Sequence, residues 1–230
     1  MPALALIAGL FALAAGAGAL SASGDTLEKT VAADPEDLRA AAAYRQIAIA
    51  SGEFDRSIEF FERLAKRSGS GPNIYISLAL AYVDKVPASG DMRRLYLGRD
   101  AMMAATKSIE RRASVLAYYI RGVVNLYYNG FIFHRIPRGI ADLQQAAALI
   151  APATPAVLGA RVYVSLGDGY WRLEKRETAR DAWRRGLDRY PSDPMLQGRV
   201  WSNDRDVENL VSDALYAGNR VDTSLRGVVP

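Results

Sequence analysis

Between Tyr163 and Pro191 the sequence YVSLGDGYWRLEKRETARDAWRRGLDRYP has the apolar spacing of a helix, yet it places Gly167 and Gly169 inside that spacing. A glycine in a helix interior costs about 1 kcal/mol relative to alanine, so its presence demands a compensating gain. The distance between two packed helices is set by the side chains at their contact. A glycine there lets a partner helix come close while bulky neighbours fill the flanks. Tyr163, Leu166, Gly167 and Tyr170 fall on one helix, and a turn follows at Glu174 and Lys175. Ala179, Trp183 and Gly186 then mark a second helix closed by Pro191. Gly167 is the predicted crossing residue, whereas Gly169 falls outside the pattern.

The order bulky, Leu, Gly, aromatic, Ala, aromatic, small, Pro resembles the tetratricopeptide repeat (TPR) along its whole length. Partial copies precede it. Tyr75, Leu78, Ala79 and Tyr82 repeat the first-helix positions, as do Tyr118, Arg121, Gly122 and Asn125, while Ser57, Phe61 and Leu64 repeat second-helix positions. The first helix of the first unit fits poorly, with Arg45 in a slot for a small residue and Ala48 in one for an aromatic. Ala41 to Tyr75 spans 34 residues, Tyr75 to Tyr118 43, and Tyr118 to Tyr163 45. The first spacing is the repeat period, and the excess in the others falls in VDKVPASGDMRRLYLGRD and NGFIFHRIPRG. Such insertions collect on one face and often build a binding surface.

No apolar-polar alternation bounded by tight turns signals a strand. The resemblance therefore implies an all-α fold, a stack of three to four helical hairpins forming a TPR-like α-solenoid. In DRDVENLVSDALYAG, Val207, Leu210, Val211, Ala214 and Leu215 form one apolar stripe, as a helix sealing the end of a stack requires.

Read along the chain, residues 1–23 are a signal peptide or an N-terminal membrane anchor and 24–34 a linker. Residues 35–200 hold the repeats with their two insertions, 201–218 a C-terminal capping helix ended by Gly218, and 219–230 a flexible tail. Ala3 to Leu20 carries no charge and is followed by Ser21-Ala22-Ser23, a small-residue cleavage site. The run is also just long enough to span a bilayer. No Lys or Arg precedes it, against a signal peptide, and it is rich in alanine and glycine, against a permanent anchor. Either reading places the remainder outside the cytoplasm. Asp34 is the expected cap of the first repeat helix, with Pro35 in its first turn.

Composition narrows the chemistry. The chain has 29 basic and 25 acidic residues, a net charge of +4 far from a nucleic-acid-binding signature. With no cysteine and one histidine, His134, it has no disulfide, no thiolate nucleophile, no lipid-attachment cysteine and no multi-histidine metal site. SLGDG lacks the Gly-Lys-Ser/Thr ending of a phosphate loop and the alternating acidic ligands of a calcium loop. No nucleophile-elbow, zinc-protease or paired-carboxylate motif occurs. Neither a cofactor nor catalytic residues are assigned, and the basic run RLEKRETARDAWRRGLDR reads as a solvated outer face, its charge locally balanced by Asp181 and Asp188.

In TPR stacks the first helices of successive hairpins line a concave groove. The resemblance implies a wall here that includes Ile76, Leu80, Tyr119, Val123, Leu126, Tyr127 and Trp171, with Arg161, Asp168 and Arg172 at its polar end. That wall is apolar for a solvent-filled groove. It either takes an apolar peptide, helix or small ligand, or is covered by an insertion or by the N-terminal segment folding back. Phe131 and Phe133, with Arg135 beside them, either project as an anchor for a membrane or protein or tuck inward. The expected function is a non-enzymatic protein-protein interaction module in a bacterial-type cell envelope, binding a peptide or partner helix. The alternative is a carrier of a small apolar ligand or lipid serving an envelope transport system. Nucleic acid is not an expected partner, and membrane contact is expected through the N-terminal segment if it is retained.

Overall fold

The first repeat hairpin begins where Asp37 caps α2 (Leu38–Ser51), its carboxylate accepting from the Arg39 and Ala40 amides at 2.8 and 3.1 Å. Asp34, expected in this role, instead accepts from the Glu36 amide in the preceding turn. The helix ends at Gly52, whose φ of 75° lies in the left-handed region that glycine occupies without penalty. The computed structural model describes residues 22–127, 134–214 and 222–229. Every regular element within them is a helix, with no strand among the described residues.

Helix α1 occupies described residues 22–33, so most of the stretch expected as a linker is helix instead. The reason is tertiary. Val31 is fully buried, Glu28 accepts from the Tyr44 hydroxyl at 2.6 Å, and Arg56 reaches Asp25 and Glu28, tying α1 to the first hairpin. The apolar run of residues 3–20 lies outside the described residues. No helix among the described residues is long and apolar enough to cross a membrane.

Four hairpins follow: α2 with α3 (Phe54–Ala65), α4 (Pro72–Lys85) with α5 (Asp91–Arg111), α6 (Val115–Tyr127) with α7 (Ile136–Ala148), and α8 (Ala156–Trp171) with α9 (Arg176–Arg189). Each second helix also packs on the first helix of the next unit. The first helices α2, α4, α6 and α8 neighbour one another in order and so share one face of the stack. Helices α10 (Pro194–Trp201) and α11 (Asp204–Ala214) close the end, with Val207 and Val211 buried as expected; Leu210 turns outward instead, more than a third exposed. Leu215 and Gly218 lie outside the described residues.

Small residues sit where helices cross most closely. A Cβ on Gly122 would stand 3.1 Å from the Gly139 carbonyl oxygen, and one on Gly139 would stand 2.8 Å from that of Gly122, so α6 and α7 cross backbone to backbone. Arg121, next to this crossing, grips Asp142 of α7 through two nitrogens, at 3.0 and 2.6 Å, and also donates to Thr106 Oγ1 of α5. Gly71 precedes α4 because a side chain there would collide with Glu36, whose carboxylate accepts from the first-turn amides of Asn73 and Ile74, which have no partner within the helix.

The first insertion resolves into structure. It forms a short 3₁₀ turn, Val86–Ala88, and the front of α5, which at 21 residues outruns the 12 and 14 of α3 and α9. Of the second insertion, 128–133 lie outside the described residues, and the exposed His134 carries a φ of 41°.

Candidate functional site

The shared face of α4, α6 and α8 holds an apolar cavity of about 320 Å³. Leu80, Tyr119, Val123 and Tyr127 line it, and Arg161 stands at its edge, as the first-helix register predicts. The front of α5 adds Arg94, Leu95 and Gly98, so the first insertion does contribute a wall. Burial pushes the Tyr127 phenol up to about 12, and it raises that of Tyr119 against the opposing pull of Arg161 and Ser165. Both tyrosines therefore stay neutral hydrogen-bonding groups at physiological pH.

The remaining predicted wall residues lie elsewhere. Ile76, Leu126 and Trp171 are buried between helices at 2 %, 0 % and 1 % exposure, each serving a core cluster rather than the groove. Asp168 is buried too, paired through both oxygens with Arg199 of α10 at 2.6 and 2.8 Å. Arg172 donates to the Leu126 carbonyl at 2.6 Å, fastening α8 to the end of α6. On α8, Asp168 and Trp171 face the cap, reaching Arg199 of α10 and Glu208 of α11, whereas Ile76 and Leu126 are drawn into the core by neighbouring helices. Phe131 and Phe133 lie outside the described residues. Arg135 donates to Asn125 Oδ1 at 2.9 Å in a separate polar cleft between α5, α6 and α7.

Among the described residues, what covers the groove is a stretch not expected as a lid. Residues 222–229, from the stretch read as a flexible tail, lie across the first helices. Thr223, Leu225 and Val228 are 5 %, 5 % and 2 % exposed, and Leu225 and Val228 join the core cluster that contains the walls of α4 and α6. The Thr223 carbonyl accepts from Arg45 Nη2 of α2 at 2.7 Å, and its hydroxyl donates to Asp84 of α4. Asp222 pairs with Arg161 of α8 at 3.1 Å. Gly227, at a φ of 69°, presses on Val157, where an added Cβ would come within 3.1 Å. The polar groups of the segment are therefore held by side chains from three of the four repeats.

Arg45 makes sense of its misfit in the repeat pattern. Its guanidinium is buried, the residue 1 % exposed, and bonds Asp84 Oδ2 at 2.9 Å, so the slot meant for a small residue holds a buried ion pair whose third partner is the tail carbonyl. Such a pair is retained only where desolvation is met by further hydrogen bonds. Arg45 Nε has no partner, leaving the guanidinium dependent on the contacts it does make. Asp84 and the tail residues were missed at the level of sequence. The available signals were a lone buried-register acid in YISLALAYVDK and a lone arginine in a small-residue slot, two charges that could satisfy each other only across repeats.

Docking is finely balanced. Burial of an aliphatic side chain contributes about 1.5–3 kcal/mol and a hydrogen bond to a charged group about 1.5–3 kcal/mol. Ordering each backbone residue costs about 1–2 kcal/mol. Gains and costs for this short segment are of the same order.

No group of three His, Asp or Glu side chains poised for a metal ion occurs among the described residues. No protein-family model matches the chain, and no curated protein matches it. Among solved structures, a thermophilic TPR protein of Thermus thermophilus superposes with a TM-score of 0.59, covering 86 % of this chain and 94 % of that one at 21 % identity. The likeness is one of fold: the chain is a TPR-like α-solenoid.

Proposed function

We propose that this TPR-like solenoid is a non-enzymatic interaction module that binds a segment of a partner protein in the groove formed by α4, α6 and α8. The observation that carries the reading is the seat of residues 222–229: a short stretch of chain lies along the groove, its carbonyl, hydroxyl and carboxylate each met by a side chain from a different first helix. Main-chain capture combined with pockets for apolar side chains is how grooves recognise peptides. Fold alone does not fix function; the grip on a peptide segment is what favours binding over chemistry.

The test is peptide-library display on the full-length chain, with Leu225→Ser and Val228→Ser loosening the tail. A matched chain that also carries Val123→Asp in the groove wall serves as control. Enrichment of related peptides that disappears with Val123→Asp is the expected result. Equal recovery on both chains overturns the reading.

The cavity beneath the tail supports a second reading, a carrier of a small apolar ligand. Its volume of about 320 Å³ falls in the range of small-molecule sites. Native mass spectrometry of gently purified protein separates the two: a retained small molecule favours the carrier, an empty chain the module. The apolar run of residues 3–20 supports a place in the cell envelope, reached through an export signal or held by an anchor. Sequencing of the mature N-terminus from fractionated cells tests that placement.

A further inference from the structure

We infer that the C-terminal segment is a ligand mimic held in cis, and that the partner presents the same chemistry: an acidic residue, then a hydroxyl-bearing one, an apolar residue three positions after the acid, and a second apolar residue six after it, preceded by glycine. This rests on the peptide-groove reading and names the peptide. Asp222, Thr223, Leu225, Gly227 and Val228 supply that pattern, and each has its own receptor.

The acid meets Arg161, and hydrogen bonds from Ser224 close the turn behind it. The hydroxyl meets Asp84, and the carbonyl of the same residue meets Arg45. The two aliphatic side chains join the core cluster of α4, α5 and α6 and close the apolar cavity from the tail side. The glycine passes over Val157 in a left-handed conformation that a side chain would strain. The specificity is not that of a general apolar trough, because Arg45 and Asp84 are both buried and each commits a hydrogen bond to the segment, which a purely apolar occupant would not return. The receptor groups belong to the folded repeats, whereas the segment that fills them comes from beyond the capping helix. A competing segment in trans can therefore take its place without rearranging the stack. Tethering raises the local concentration of the cis segment to about the millimolar range, so it screens out weak partners and yields to a tighter one.

The experiment is a fluorescence-anisotropy titration of a labelled peptide, DTSLRGVVP, against the full-length chain carrying Leu225→Ser and Val228→Ser. Its helicity is checked by circular dichroism. Should that chain lose helicity, full-length Asp222→Lys, altered at a solvent-facing position, takes its place. The expected result is saturable binding, at least about tenfold weaker to the unaltered chain, whose groove is filled. A scrambled peptide, and one with lysine for aspartate at its first position, bind at least about tenfold more weakly than the native peptide. Equal binding to loosened and unaltered chains overturns the cis competition. Equal binding of native and scrambled peptides overturns the stated motif. Absence of binding by this peptide, when library display still yields groove-dependent binders, overturns the inference and leaves the peptide-groove reading standing. Absence of both removes the two together.

Discussion

A Cβ atom on Gly167 would stand 2.1 Å from Nε1 of Trp183, whose indole N–H donates to the Val164 carbonyl at 3.1 Å. The ring of Trp183 is wholly buried against the α8 backbone, so the missing side chain of one residue is the seat of the other. Gly167→Leu is accordingly expected to destabilise by at least about 1–3 kcal/mol through overpacking. Trp183→Ala is expected to cost about 3–5 kcal/mol by emptying the same space. Urea unfolding measures both, and a change below about 1 kcal/mol in either would place the residue outside the core.

Asp168 and Arg199 lie at 4 % and 3 % side-chain exposure, joined through two bonds. Burial pushes the Asp168 carboxyl above its ordinary value, and Arg199 opposes that rise. Arg199→Ala leaves a buried carboxylate unpaired and should cost about 3–5 kcal/mol. With its counter-charge gone, the carboxyl rises further. A group raised in the folded state favours folding at low pH and ceases to as pH climbs through its folded value. The penalty of Arg199→Ala, measured against the unaltered protein, is therefore expected to shrink as pH is lowered. A pH-independent penalty would contradict this.

Thr223→Val keeps the shape of the tail residue and removes the hydroxyl that donates to Asp84. A bond to a charged group is worth about 1.5–3 kcal/mol, and docking has little surplus from which to lose it. Amide hydrogen exchange across 222–229 is expected to accelerate at least about tenfold, with protection in α4 and α8 retained. Unchanged exchange would show that the hydroxyl contributes nothing to the seat.

Burial alone would raise Asp222, but hydrogen bonds from Ser224 and Arg161 outweigh it and hold the carboxyl below its ordinary 3.8. A group lowered in the docked state contributes docking energy that is fully present above the released-state value and is lost as pH falls through the docked one. Tail resonances are therefore expected to move toward their released positions as pH drops below 3.8, while the helical signal holds. Asp222→Asn should flatten that dependence.

Most of the solenoid was legible because its constraint is local and periodic. Tyr163, Leu166, Gly167, Tyr170, Ala179, Trp183 and Gly186 specify one hairpin by size alone, and size is written in each residue. Gly169 shows the limit. Its partners, Ile140 and Leu126, sit one repeat away, where an added Cβ would meet them at 2.9 and 3.1 Å, and only the stacking of repeats brings them there. The groove was half legible for the same reason. Leu80, Tyr119, Val123, Tyr127 and Arg161 follow from helical phase, whereas Ile76, Leu126, Trp171 and Asp168 are drawn inward by neighbours that helical phase does not encode. The docked tail was not legible at all. DTSLRGVV is short, glycine-containing and without periodicity, and its order comes from Arg45, Asp84 and Arg161, which are far from it in sequence.

Arg176 illustrates a further gap between charge count and role. Its guanidinium stacks over the Trp171 ring at 3.8 Å and reaches Glu208 of α11 at 3.2 Å. Arg180 likewise bonds Asp204 at the start of that helix. Part of the basic run is thus a clasp on the cap, although Arg184 and Asp181 do pair locally on the outer face as expected.

Isotope-edited NMR of the full-length chain, with methyl labels at Leu225 and Val228, tests most directly whether the groove holds a peptide segment. Cross-relaxation from these methyls to the side chains of Leu80, Tyr119 and Val124, with methyl shifts displaced by the tyrosine ring, is the predicted result. Random-coil shifts without any such contacts would contradict it.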